Sequence, residues 1–266
     1  LWIQIWGGPN TCAMALKQIE DEYKDTQEWD EIYKKVGKKV IFTACSKQDA
    51  TYDTYIALSW PNIPFLDADS QISYGYLTKG QGSDEMKRTM SASWMYKNIE
   101  KNHGELLDLY VTWGDGTHLS YEPPSCQYGS NDSLLNNPSG WGGNLSYDRY
   151  DFLSEGDSPT YFHLLDTGLQ ISSLEEFTYG GYSGRYAQTI QTATDPNTWT
   201  IQNDRDHVLR LDSINTSILK WIPDIQRDFA ARADWCITSN YKDANHRPDI
   251  KIKEGLCIKA KPGELV

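Results

Sequence analysis

The first 45 residues constrain the fold more than any other part of the chain. Residues 1–6 alternate apolar side chains around Gln4, meet Gly7-Gly8-Pro9, and run into Thr11-Cys12-Ala13-Met14-Ala15-Leu16. This pattern predicts a strand, a tight turn and a helix reaching about Tyr23. A polar connection follows, and residues 39–45 form a short, β-rich apolar run expected to be a second, buried strand. Strand, helix and strand in that order predict a parallel sheet, because parallel neighbours need a crossover connection.

Further along, Trp60-Pro61 breaks the chain before a strand expected at 63–66, and residues 91–103 show helical periodicity that stops at Gly104. Residues 113–150 turn to Gly, Ser, Asn, Pro and aromatics around Gly140-Trp141-Gly142-Gly143, the composition of a long loop. Residues 158–168 read as a helix with Pro159 in its first turn, and 214–238 as the longest helix, interrupted at Pro223. Residues 250–253 and 257–260 alternate like strands with no helix after them, the opening of a separate β domain.

With 266 residues, 39% of them hydrophobic, the chain can bury one large core. A net charge of −12 and the lack of any Lys/Arg-rich run argue against nucleic acid and anionic membranes as partners. The longest apolar runs are too short to span a bilayer, so no membrane partner is expected. Five cysteines without C-x-x-C spacing suggest neither a zinc site nor a redox pair, and their odd count leaves at least one unpaired. Sequons at Asn131, Asn144 and Asn215 fit an extracytoplasmic protein, secreted or periplasmic, and the 10 Trp and 17 Tyr suit sugar stacking as well as ordinary packing.

Ionisable and amide residues gather where strands or turns end, which in open α/β sheets is where ligands collect. The first group is Trp6-Gly7-Gly8-Pro9-Asn10-Thr11, with Asn10 or Thr11 able to cap the next helix; Gln48 and Asp49 follow the second strand. Glu155-Gly156-Asp157-Ser158-Pro159 places two carboxylates before a helix, suited to sugar hydroxyls, to a hard cation, or to capping that helix. Asp234, with Arg232 or a metal as its partner, lies near Asn245-His246, and Arg185 ends the flexible aromatic loop Tyr179-Gly180-Gly181-Tyr182-Ser183-Gly184. No Ser-His-Asp order, G-x-S-x-G elbow or H-E-x-x-H pair is present. Glycosidase-like carboxylate chemistry survives, with Asp49, Glu155, Asp157 and Asp234 as its acids.

In order, Trp6 to Thr11, Gln48-Asp49, His103-Gly104, Glu155 to Pro159, Gly180 to Tyr186, Asp228 to Trp235 and Ala244-Asn245-His246 resemble the nucleoside-hydrolase-like domain of cellulose-binding and polysaccharide-associated proteins. The resemblance spans roughly positions 1 to 250. It implies an α/β fold with an open, mostly parallel sheet flanked by helices over residues 1–249, and the start of a C-terminal β-sandwich over 250–266. It also implies calcium, held partly by the backbone carbonyl of Trp6 and by Asp234. Asn10, Gln48, Asp49, Glu155, Asp157, Arg185 and His246 would bind a carbohydrate or nucleoside-like ligand. The Asp-rich loop that completes such a calcium site is expected before Leu1, in an N-terminal remainder of the same polypeptide, so no catalytic residue is assigned. The expected activity is hydrolysis of a glycosidic or N-glycosidic bond; the alternatives are a carbohydrate-binding or accessory protein without turnover and a structural extracellular domain.

Overall fold

The computed structural model describes residues 1–69, 74–110, 112, 150–151, 157–165, 176–202, 204–206, 211–213, 216–246 and 259–264. Strand β1 (Trp2–Ile5) leads through Gly7-Gly8-Pro9 into helix α1 (Asn10–Tyr23), which buries Ala13, Leu16 and Glu20 along one face. Spacings of three and four residues put those side chains in one stripe. Glu20 sits within this buried stripe because Lys24 pairs with it and the Tyr55 hydroxyl donates to it at 2.7 Å, which holds its carboxyl below the usual range.

Helix α2 (Trp29–Lys39) occupies what the sequence suggested was only a polar connection. Its apolar residues Trp29, Tyr33 and Val36 do recur at helical spacing, and the partly buried rings of Trp29 and Tyr33 pack on Trp60 with centroids 5.5 and 5.1 Å away. Asp30 and Glu31 in its first turn and Lys38 and Lys39 in its last complement the helix dipole.

Strand β2 (Ile41–Ala44) pairs in parallel with β1, and β3 (Phe65–Asp67) pairs in parallel with β2, after a π-helical turn (Tyr52–Ile56) and the short helix α3 (Ala57–Ser59). A helical segment follows: α4 (Tyr74–Gln81), α5 (Asp84–Thr89), and α6 (Ala92–Met95) continued by a π turn (Tyr96–Glu100). The last two lie within the expected helix of 91–103, which ends at a left-handed Gly104. Helix α7 (Pro159–Phe162) begins with proline in its first turn, as expected.

Strand β4 (Tyr186–Gln188) and strand β5 (Thr198–Ile201) form an antiparallel hairpin that completes the sheet, β5 lying parallel to β3. The order across the sheet is β1-β2-β3-β5-β4, so it is open and mostly parallel, as the sequence predicted. Strands β6 (Asp204–Asp206) and β7 (Leu211–Ser213) pair separately. Helices α8 (Thr216–Leu219) and α9 (Ile222–Trp235) replace the single helix expected over 214–238. Pro223 begins α9 instead of interrupting a longer helix, because a first-turn position has no intrahelical N–H to lose. The strands expected at 250–253 and 257–260 lie outside the described residues, except for 259 and 260, which belong to no strand.

Three buried clusters result. One packs Ile5, Phe42, Ala44 and Phe65 against α1 and the Tyr52–Trp60 segment; Leu66, Ala68, Tyr186 and Ile201 form another with Trp2 and Phe177. The third joins α4, α5, α6, α7 and α9 through Tyr74, Met86, Met95, Phe162 and Ile225. Parallel pairing brings the carboxyl ends of β1, β2, β3 and β5 to one edge, and antiparallel β4 starts at that same edge, Tyr186 facing Ile201.

Candidate functional site

The carboxyl edge carries most of the residues that the sequence singled out. Trp6 follows β1 and is 54% exposed, and its indole N–H donates to the Thr160 hydroxyl at 2.7 Å. Tyr161 stacks beside the indole, with centroids 6.3 Å apart at 29°. The Thr160 hydroxyl donates in turn to the Asp157 carbonyl at 2.8 Å, so the first turn of α7 fixes the Trp6 ring.

Gly8 has to be glycine because Asp49 lies against it: a Cβ there would sit 1.9 Å from Asp49 Oδ2. Asp49 Oδ1 accepts the Thr51 amide at 2.7 Å, and the Gln48 side-chain amide donates to the Cys45 carbonyl at 2.9 Å. Asn10 is exposed as the first residue of α1; Pro9 precedes that helix without a side-chain cap, so neither Asn10 nor Thr11 caps it.

The end of β3 carries an acidic cluster that the sequence reading missed, half-buried Asp67 and exposed Asp69. Asp67, at the end of β3, accepts the amides of Asp69 at 2.9 Å and Ser46 at 3.2 Å, with Ser46 held in a left-handed conformation. Burial pushes the Asp67 carboxyl above its ordinary value, and the neighbouring Asp69 charge adds to that. Cys45 is buried beside the cluster; its thiol is pushed well up by burial, then by its hydrogen bond to Asp157 and the charges of Asp69 and Asp67. The Tyr186 hydroxyl is raised as well, by burial and then by the Asp67 charge. Leu66-Asp67-Ala68-Asp69 obeys the same rule that marked Asp49, an acid directly after a strand, and the signal was available in the sequence.

Arg185 immediately precedes β4 and lies exposed, its carbonyl accepting the Gln202 amide at 2.8 Å. Its side chain runs over Gly180, where φ is +87° and a Cβ would meet Arg185 Cγ at 2.9 Å. Glu155 lies outside the described residues, as do the sequon asparagines Asn131, Asn144 and Asn215, Cys126 and Cys257. Cys12, Cys45 and Cys236 are free thiols.

Asp234 and His246 have their described contacts elsewhere. Asp234 Oδ1 is 3.3 Å from His103 Nε2, and Arg232 pairs with Asp228 at 2.7 Å, so the partner of Asp234 is the histidine and not Arg232. Its side chain is 44% exposed and carries no burial penalty that demands an ion. His246 stacks on Tyr241 and packs against Trp235. Calcium usually takes six to eight oxygen ligands. Among the described residues no three His, Cys, Asp or Glu side chains form a group able to hold a metal ion.

The exposed Trp6 and the half-buried Asp49, Asp67 and Asp157 thus stand at or beside the carboxyl edge of a parallel sheet, where open α/β folds collect ligands. Residues 1–186 match the family model described as cellulose-binding Sde182, nucleoside hydrolase-like domain. The chain belongs to this family. Among solved structures it is similar to a nucleoside hydrolase-related protein from Saccharophagus degradans associated with carbohydrate metabolism, at 22% identity and a TM-score of 0.46. That match covers 92% of this chain and 45% of the other, so the chain spans about half the length of that structure. A comparison with curated proteins gives no match. The family match ends at Tyr186, the first residue of β4, so it takes in Trp6, Asp49, Asp67, Asp157 and Arg185, while Asp234 and His246 fall after it. Among the described residues no helix is long and apolar enough to cross a membrane.

Proposed function

We propose that this domain binds a neutral saccharide at the carboxyl edge of its sheet, outside the cytoplasm, with the exposed ring of Trp6 stacking on one sugar and the neighbouring carboxylates accepting its hydroxyls. The observation that carries this reading is Trp6, more than half exposed yet held at its indole N–H by Thr160. A pyranose presents an apolar C–H face and a rim of hydroxyl donors. An aromatic face beside acceptor-only carboxylates complements both. A fixed ring loses little entropy on binding, so more of the contact energy appears as affinity. The net charge of −12 disfavours polyanionic ligands, and the family's description as cellulose-binding points to β-glucan. Calorimetry with cello-oligosaccharides and ribonucleosides, on the native chain and on Trp6→Ala, tests the reading. Loss of saccharide affinity in the variant supports it; equal affinity removes Trp6 from the site.

Asp67 favours a second reading, hydrolysis of a glycosidic or N-glycosidic bond. A carboxyl whose pKa burial raises is suited to give its proton to a leaving oxygen or nitrogen, while a neighbouring carboxylate such as Asp69 takes a proton from the water that adds to the anomeric carbon. Release of reducing sugar or free base that disappears in Asp67→Asn supports turnover. Binding without release leaves the domain as a carbohydrate-recognition module. The calcium ligands expected at Trp6 and Asp234 have their own test: calcium affinity by calorimetry that is unchanged in Asp234→Ala removes that residue from any metal site.

A further inference from the structure

We propose that Tyr241 forms a second saccharide-stacking subsite, built from residues other than those assigned to the carboxyl-edge site and not used in the function described above. The proposal rests on the reading of this chain as a saccharide-binding domain. Tyr241 is 79% exposed, yet its ring is the outermost member of an ordered stack. The His246 ring covers one face at 3.6 Å between centroids and 17° between planes, so the exposed area belongs to the other face and the edge. Behind His246 lies Trp235 at 5.3 Å, and behind Trp235 the Arg232 guanidinium at 5.1 Å from the ring centre.

Hydrogen bonds close this stack on the end of α9. The Trp235 indole N–H donates to the Asn245 carbonyl at 2.6 Å, and His246 Nε2 meets the Tyr241 carbonyl. The first bond ties the loop of residues 236–246 to the last residue of the helix, and the second closes the loop on itself, so that His246 is held between Trp235 and the Tyr241 ring. Packing alone does not call for this arrangement: a tyrosine that is mostly exposed contributes little apolar burial, while a flat, fixed, solvent-facing ring is the form that a pyranose face stacks on. Beside it, the Asn240 side-chain amide donates to Asp243 Oδ2 at 3.0 Å, which fixes a carboxylate next to the ring with lone pairs left for a sugar hydroxyl.

Two stacking sites on one domain favour a polymer over a short sugar, because the second contact forms at high effective concentration once the first is made. The test uses the whole 266-residue chain: depletion isotherms on insoluble cellulose and calorimetry with cellohexaose, for the native chain, Trp6→Ala, Tyr241→Ala and Tyr241→Phe. Tyr241→Ala should weaken binding to cellulose about 5- to 10-fold. Tyr241→Phe should stay within about 2-fold of the native chain, since it keeps the ring. Matching thermal unfolding of the two Tyr241 variants separates loss of the face from loss of the fold. Native-like cellulose binding by Tyr241→Ala overturns the proposal; if Trp6→Ala is then weakened, the carboxyl-edge reading survives. Weakening in Tyr241→Ala but not in Trp6→Ala has the reverse meaning, and a native chain that binds neither ligand overturns both.

Discussion

The indole N–H of Trp6 donates to the Thr160 hydroxyl at 2.7 Å, joining the end of the first strand to a helix 154 residues later in the chain. This bond turns an exposed ring into a fixed one. Thr160→Val keeps the shape of the side chain and removes the acceptor, leaving the indole free to turn. The expected outcome is a stability loss of about 1 kcal/mol and a several-fold weaker saccharide affinity, read by thermal unfolding and calorimetry. Unaltered affinity with reduced stability would show that the bond serves the fold alone.

Gly8→Ala tests the close approach between the first turn and Asp49. The new Cβ would stand 1.9 Å from Asp49 Oδ2 and 2.9 Å from its Cβ, so the carboxylate must leave and its bond to the Thr51 amide must break. A loss of about 1–3 kcal/mol is expected in denaturant unfolding. The double variant Gly8→Ala/Asp49→Ala should recover part of it, since the contacts with Oδ2 and Cγ are gone and only the one with Cβ remains.

His163 supplies a pH dependence. It is 2% exposed between Trp2 and Tyr186, and burial lowers its pKa from 6.5 to about 4. Between those values the unfolded chain binds more protons than the folded one, so stability is complete above about pH 6.5 and falls as the pH drops toward 4. The loss approaches about 3 kcal/mol at the acid end. Unfolding free energies measured from pH 7 to 4 should show this slope, and His163→Gln should flatten it.

Asp67 acts in the opposite sense. Its raised pKa means that the folded chain holds the proton longer, so its contribution is most favourable below the ordinary carboxylate value and declines as the pH rises through the raised one. Asp67→Asn keeps an oxygen for the Ser46 and Asp69 amides and should stabilise the domain at pH 7 but not at pH 3. Equal stabilisation at both pH values would mean that the effect is not electrostatic.

Trp60 is 1% exposed and packs with Trp29 and Tyr33. Trp60→Ala should cost about 3–5 kcal/mol in denaturant unfolding, through lost burial and the cavity left behind. A cost under 1 kcal/mol would mean that α2 contributes little to holding the core together.

The parallel sheet was legible in the sequence because its signal is local: alternation in residues 1–6, a Gly-Gly-Pro turn, a helical stripe and a β-branched run follow one another directly. Helix α2 was not, because Trp29, Tyr33 and Val36 are set among Lys and Glu and remain only half-buried. The β4–β5 hairpin was missed because its strands are three and four residues long and gain their identity from pairing with β3. In the site, Asp49, Asp157 and Arg185 could be found from their places beside strand ends and turns. Asp67, directly after the strand expected at 63–66, was open to the same rule; what the sequence does not show is its partial burial and its bonds to the Ser46 and Asp69 amides. Trp6 was chosen for its carbonyl, whereas its ring is what the structure presents, and that depends on a contact with Thr160 that no local pattern encodes. The pairing of Asp234 with His103 spans 131 residues and was hidden for the same reason.

The most direct measurement of the central claim is the Trp6 indole N–H resonance in a proton–nitrogen correlation spectrum, assigned by its disappearance in Trp6→Phe and followed during titration with cellotetraose. A binding site on the Trp6 face predicts a saturable shift of this resonance, larger than those of the other nine indoles. A Trp6 resonance that stays in place while cellotetraose binds elsewhere on the chain would contradict the account.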